Sequence, residues 1–200
     1  MNNQFLSILE KRRSIYSLGN NVTLAKDYIS EVINNAVKLT PTAFHSQSTR
    51  VVVLFGDHHL RHWALVKHEL GKLLTPSELD SSVSKIDACF GSGFGTVLFY
   101  EDTDVIKELE QAYPLYADNF EKWSEQANGM AQLTVWTALA EENLGATLQH
   151  YNPLIDTAVA DEWQLPKSWK LIAQMPFGTI ENLPDDKEFI SDLQRQLVFE

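Results

Sequence analysis

The sequence is short of cysteine, of basic residues and of long apolar runs. Its 200 residues include a single cysteine, Cys89, so no internal disulfide framework can staple the chain, and the thiol content fits a reducing compartment. Lys and Arg together number 16 against 27 Asp and Glu, a formal net charge of −11. That balance excludes a general grip on nucleic acid, which needs clustered cations facing phosphates. No apolar stretch approaches the roughly 20 residues that cross a bilayer. The opening MNNQFLSILEKRRS does not run through a charged start, an apolar middle and a small-residue cleavage site in the order of a secretory signal. A cytoplasmic location is expected. No Pro/Gly/Ser-rich linker divides the chain, which predicts one domain over residues 1–200.

What is present supports a full core: 44% of residues are hydrophobic and 10% aromatic. Phe5, Leu6, Ile8 and Leu9 share one side of a short helix over 4–14. Leu24, Tyr28, Ile29, Val32, Ile33, Ala36 and Val37 then follow helical spacing behind a cap at Thr23. A strand over 50–55 is apolar without alternation, the pattern of a central, buried strand. Asp57 caps a helix to about residue 73, and Thr75-Pro76-Ser77-Glu78 starts another with a capping box. That second helix carries Val83, Ile86 and Phe90.

A strand at 96–100, a charged helix at 103–112 and a long helix at 118–143 follow. Residues 130–139 read MAQLTVWTAL, apolar nearly all round, which predicts burial on every side in one core or between two subunits. Gly145 is the expected stop. Further strands are expected at 146–151 and 169–174 around a helix at 154–163, with RQLVF as a final strand. The order is mixed, with helices outnumbering strands, so the class is α+β.

Most candidate chemistry dissolves on inspection. The glycines of GSGFG, 91–95, lead into a strand and lack a following Lys-Ser or Lys-Thr, so they form a turn and not a phosphate loop. His58 and His62 stand one helical turn apart near His59 and His68, but no Asp, Glu or Cys completes a metal set. Cys89 beside Phe90 has the setting of a small core side chain. The pairs Asp185/Asp186 and Glu141/Glu142 have solvated surroundings, and no hydrolase elbow occurs.

Lys11, Arg12 and Arg13 are consecutive in an otherwise acidic chain. Two explanations stand level: compensation of a bound anion, or complementation of a helix dipole. Two other polar, turn-prone segments match this one in character, PTAFHSQS at 41–48 and LGATLQHYNP at 144–153. Together they suit a ligand with one dianionic end and one flat, hydrogen-bonding end.

In order and spacing these segments resemble the nitroreductase family of flavoproteins. The likeness lies in RRS at 12–14, PTAFHSQST at 41–49, LGATLQHYNP at 144–153 and Lys187 in LPDDKEF. The phrases SEQANGMAQLTVWTALAEENLGATLQHYNPLID and FGTVLFYED resemble a compact subgroup of about 200 residues. The resemblance implies a mixed or antiparallel sheet flanked by helices and an intertwined homodimer with two FMN molecules at its interface. It implies that Arg12, Arg13 and Ser14 hold the phosphate or ribityl chain, with Lys187 at the phosphate. Thr42, Ala43, His45 and Gln47 would come from the partner subunit, and Gln149, His150, Tyr151 and Asn152 would lie along the isoalloxazine.

The implied activity is FMN-dependent reduction of nitroaromatics, quinones or similar small aromatic acceptors by NADH or NADPH. The alternatives are a flavin-binding stress-response or regulatory protein with little turnover, and a dimeric helical module without cofactor. The sequence also departs from the family pattern. His45 replaces the usual Asn, QST replaces QPW, and Tyr16 stands where many members carry a second Arg or Lys.

Overall fold

A computed structural model describes residues 3–200. Helix α1, Gln4–Lys11, begins at Asn3, whose side chain accepts from the Leu6 amide, and ends where Arg12 turns extended. The chain then passes through β1, Leu18–Gly19, into α2, Lys26–Lys38. Residue 25, an extended Ala without a side-chain cap, precedes α2. The expected Thr23 cap is therefore two residues early, and Leu24 stays outside the helix, packed on the core. Strand β2, Thr49–Phe55, leads into α3, Asp57–Leu70, and α4, Pro76–Ile86. Gly56 rather than Asp57 is the N-cap of α3, at φ 54°, a left-handed conformation that glycine adopts without strain. The Thr75–Glu78 capping box of α4 forms, with the Thr75 amide donating to Glu78 at 3.0 Å.

After α4 a wide turn, Asp87–Gly91, carries Phe90. The remaining elements are β3, Gly95–Asp102; α5, Thr103–Ala112; α6, Ala117–Glu141; β4, Gly145–Ala146; α7, Asp156–Trp163; β5, Trp169–Ile180; and α8, Asp192–Arg195. The expected strand at 146–151 is cut down to β4 plus one bridge between Gln149 and Gln174. RQLVF forms no strand: α8 takes Arg195, and the residues after it have no regular structure. Gly145 is not the helix stop either, because Asn143 makes the turn at φ 58°. Gly145 is instead fixed by packing, since a Cβ there would stand 2.9 Å from both Ile15 and Ile180.

The sheet runs β1-β5-β3-β2, with β4 paired to β5, and every strand pair is antiparallel. Strand β3 is central, with Val97 and Phe99 on one face and Leu98 and Tyr100 on the other, all buried. The first face meets α2 and α6 through Ile29, Ile33, Val135 and Leu139. The second meets α3, α4 and α7 through Trp63, Val66, Ile86 and Val159.

The apolar run at 50–55 is thus an edge strand in this chain, not the central one. Its unbroken hydrophobicity reflects helices on both faces, not neighbours on both edges. Within a single chain helix α6 buries one side: Ala131, Val135 and Leu139 point into the core, while Met130 and Leu133 are 43% and 44% exposed. Among the described residues no helix is long and apolar enough to cross a membrane.

Candidate functional site

Because α1 ends at Lys11, only that lysine sits in the helix's last turn, and it pairs with Glu141 at 3.3 Å. Arg12 and Arg13 lie beyond the helix on extended chain. Ser14 bridges Ala146 in parallel fashion, and the Ile15 amide donates to the Ala146 carbonyl at 2.9 Å. The backbone thereby lays the RRS segment against the start of the 144–153 segment.

The guanidinium of Arg12 lies over the indole of Trp136, 4.5 Å from the ring centroid. Among the described residues it has no side-chain hydrogen bond and no carboxylate partner. Burial pulls its pKa below the ordinary value, and Arg13 adds to the effect. Arg13 donates to the carbonyl of Asp185. Arg13 and Lys187 line one groove of about 670 Å³ with Leu9, Glu10, Asp186 and Phe189. The ammonium of Lys187 is also pulled below its usual range, first by burial and then by Arg12 and Arg13. Three cations thus share one neighbourhood that also holds two carboxylates, Glu10 and Asp186. Like charges crowded in this way favour an anion.

The 149–152 segment is held by Gln174 of β5. Backbone hydrogen bonds join Gln149 and Gln174 at 2.7 and 2.9 Å, and the Gln174 side chain accepts from the Tyr151 amide at 2.8 Å and donates to Asn152 at 3.3 Å. The ring of Tyr151 packs edge-on against Trp63, with 5.9 Å between centroids, so its phenol belongs to the core cluster. His150 is exposed.

Thr42, Ala43, His45 and Gln47 stand elsewhere. Their loop turns through positive φ at Phe44, His45 and Gln47, strained values for residues other than glycine. The Thr42 hydroxyl accepts from the Gln47 amide at 3.0 Å, and Arg50 ties the Gln47 carbonyl to Asp102. Phe44 sits among Tyr113, Tyr116, Phe120 and Trp123, the last stacked at 6.2 Å. Trp123 and Trp136 are thirteen residues apart on α6, about 20 Å along a straight helix. Within one chain the loop and the basic groove therefore do not meet.

Several neighbours of these segments escape sequence reasoning. Glu101, 1% exposed, accepts from Ser48 at 2.5 Å, Thr49 at 2.6 Å and Asn128 at 2.8 Å. It anchors the far end of the loop to α6. A carboxyl closing an apolar strand, as in GTVLFYED, was the available signal. Trp136 carried none, being one apolar residue in an apolar run. Beside Tyr16, the Nζ of Lys85 lies 5.9 Å from the ring centroid, so a cation from α4 reaches the position where RRSIY has no second one.

Of the four histidines on α3, His58 and His68 are exposed while His59 and His62 are buried. His59 is buried against Thr96 at 2.8 Å, and His62 is fully buried with neither ring nitrogen partnered among the described residues. Among the described residues no group of three or more His, Cys, Asp or Glu could hold a metal ion. Cys89 is half-buried, packed on the cluster around Trp63 and Phe90.

Comparison with known proteins agrees across the chain. The model of the nitroreductase family matches residues 9–179. Nitroreductase FRM2 of Saccharomyces cerevisiae is 30% identical over 191 residues, 94% of each chain. Nitroreductase CinD of Lactococcus lactis, solved in complex with chloramphenicol, superposes with a TM-score of 0.90 at 47% identity, over 98% of this chain and 100% of that one. CinD has also been solved with 4-nitrophenol and with nicotinic acid. A nitroreductase with bound FMN from Desulfitobacterium hafniense shares the fold, with a TM-score of 0.73 at 14% identity over the full length of both chains. Family membership implies oxidoreductase chemistry. On its fold and on matches spanning nearly its whole length, this chain belongs to the nitroreductase family.

Proposed function

We propose that the protein is an FMN-dependent oxidoreductase that uses NADH or NADPH to reduce nitroaromatics, quinones or related small aromatic acceptors. The observation that carries this is the convergence of Arg12, Arg13 and Lys187, with the Arg12 guanidinium lacking any anionic partner among the described residues. A phosphate monoester carries nearly two negative charges, and a guanidinium can satisfy two of its oxygens at once. The residues present therefore fit the cofactor's phosphate end. When bound, FMN supplies the redox chemistry, accepting a hydride from a nicotinamide and passing electrons to the acceptor.

The chain's own part is to bind, orient and shield. Ser14, held against Ala146, brings its hydroxyl and the two arginines to the phosphate and ribityl end. Gln149, His150, Tyr151 and Asn152, fixed through Gln174, offer backbone and side-chain hydrogen-bonding groups along the ring edge. No side chain is assigned a proton-transfer role.

The loop bearing Thr42, Ala43, His45 and Gln47 serves the partner's site in a homodimer. Its distance from the basic groove of its own chain supports that division. So do exposed apolar side chains that a dimer would cover: Met130 and Leu133 on α6, and Leu183, Phe189, Ile190 and Leu193 in the C-terminal segment.

The deciding experiment is the visible spectrum of the purified protein before and after anaerobic NADH and then NADPH. A flavin spectrum that bleaches is expected. A flavin spectrum untouched by both donors would turn the assignment toward a regulatory flavin-binding protein. Absence of flavin even after FMN is added would overturn it.

A further inference from the structure

We infer that Trp136 is a positioning residue for the phosphate end of the cofactor, acting through Arg12. This rests on the flavin reading above and adds to it a residue that the sequence motifs leave out. The indole lies under the Arg12 guanidinium at 4.5 Å from its centroid, within the range where the electron-rich ring face attracts a cation. No hydrogen bond or carboxylate competes for that guanidinium among the described residues. A stacked guanidinium is held by its flat face and keeps its N–H edge free. The arrangement therefore fixes the direction of Arg12 without consuming the donors that a phosphate needs.

Two further facts point the same way. Among the described residues the buried Trp136 Nε1–H has no acceptor, so no hydrogen bond to them accounts for an indole here. The backbone on either side of Arg12 is also fixed: α1 ends at Lys11 and Ser14 is bridged to Ala146. Only the side-chain torsions of Arg12 remain free, and an arginine swinging on them would lose affinity to conformational entropy. Trp136 removes that freedom before the ligand arrives.

The test compares FMN with riboflavin, which has the same ring and ribityl chain but no phosphate. Both are titrated by flavin fluorescence into the full-length apoprotein. In Trp136→Met, which keeps an apolar side chain and loses the ring, the FMN dissociation constant is expected to rise roughly five- to tenfold, with that for riboflavin changing less than about twofold. Trp136→Phe keeps a ring, loses the N–H, and is expected to hold the FMN-to-riboflavin preference within about threefold of wild type.

Equal weakening of both flavins by Trp136→Met would show a role in packing alone and overturn the inference, as would an unchanged preference. Should Trp136→Met fail to fold, Trp136→Phe decides: collapse of the preference with a ring still in place sinks the idea. Wild-type protein that binds neither flavin is a different failure, that of the functional assignment itself.

Discussion

Arg12, half-buried, and Glu101, fully buried, both lack an ion-pair partner among the described residues, yet they are finished in opposite ways. Glu101 accepts from Ser48, Thr49 and Asn128, and Gln132 continues the network by donating to Asn128 at 2.7 Å. Every partner is neutral, and little capacity is left over for anything else. Arg12 has an aromatic face beneath it and two cations nearby, and its N–H edge is unspent. A satisfied polar cluster rigidifies the fold; an unsatisfied one is costly unless something arrives to satisfy it. The difference separates structural from functional polarity here better than residue type does.

The comparison breaks most visibly on the basic side. Arg12→Ala combined with Arg13→Ala removes the charge-assisted contacts to a phosphate, each worth roughly 1.5–3 kcal/mol. The FMN dissociation constant is expected to rise at least about a hundredfold. The flavin-to-protein ratio after desalting reads this directly, and an unchanged ratio would remove these residues from the site. On the acidic side the expectation is reversed. Glu101→Leu leaves two hydroxyls and an amide without their acceptor, at a cost of about 3 kcal/mol in denaturant unfolding. Glu101→Gln, which still accepts and can donate to a hydroxyl, should lose about 1 kcal/mol. Equal stability of both variants with wild type would mean the network holds nothing.

His62 extends the contrast to a buried group whose ring nitrogens have no hydrogen-bond partner among the described residues. Burial, helped by the nearness of His59, holds its pKa down at about 3. The ordinary value is about 6.5, so below that pH the unfolded chain takes up a proton that the folded one refuses. His62 therefore contributes fully above pH 6.5, and its contribution is lost as pH falls toward 3. Between pH 7 and pH 5 the loss is about 2 kcal/mol, or roughly 4–8 °C in Tm for a chain of this size. His62→Phe should flatten that stretch of the Tm profile. A variant that falls as steeply as wild type would place the acid sensitivity elsewhere, His59 being the next candidate.

How much of this was legible depended on whether a feature was local. The helix starting at Thr75, the strand at 96–100 and the long helix near 118–143 carry their signals in adjacent residues, and the structure has them. The edge position of β2 was not legible, because an apolar run reports covered faces and says nothing about open edges. Thr23 and Asp57 are good caps that lost to the chain's path, which places Ala25 and Gly56 at the two helix starts. Motif order brought out Arg12, Arg13 and Lys187, which the fold brings together. Trp136 and Lys85 could not be found that way, since each matters only through a residue more than sixty positions distant in sequence.

The smallest expected effect concerns Lys85. Tyr16 occupies the place where many family members put a second cation, beside the ring end of the proposed site, and Lys85 lies over its face at 5.9 Å. A cation there favours the negative charge that a reduced flavin carries, whichever element supplies it. Lys85 is exposed, so solvent screens it and its contribution should be on the order of 0.5 kcal/mol, roughly 10 mV for a two-electron couple. Lys85→Met is expected to make the bound-flavin midpoint potential more negative by about that amount at low ionic strength, and by less at high salt, where the charge is screened further. Arg12→Lys, which keeps the charge at the far end of the site, should leave the potential alone while weakening FMN. If Lys85→Met left the potential unchanged at low salt, Tyr16 would be an uncompensated departure from the family pattern. The chain would then run its flavin at a lower potential than relatives that keep both cations.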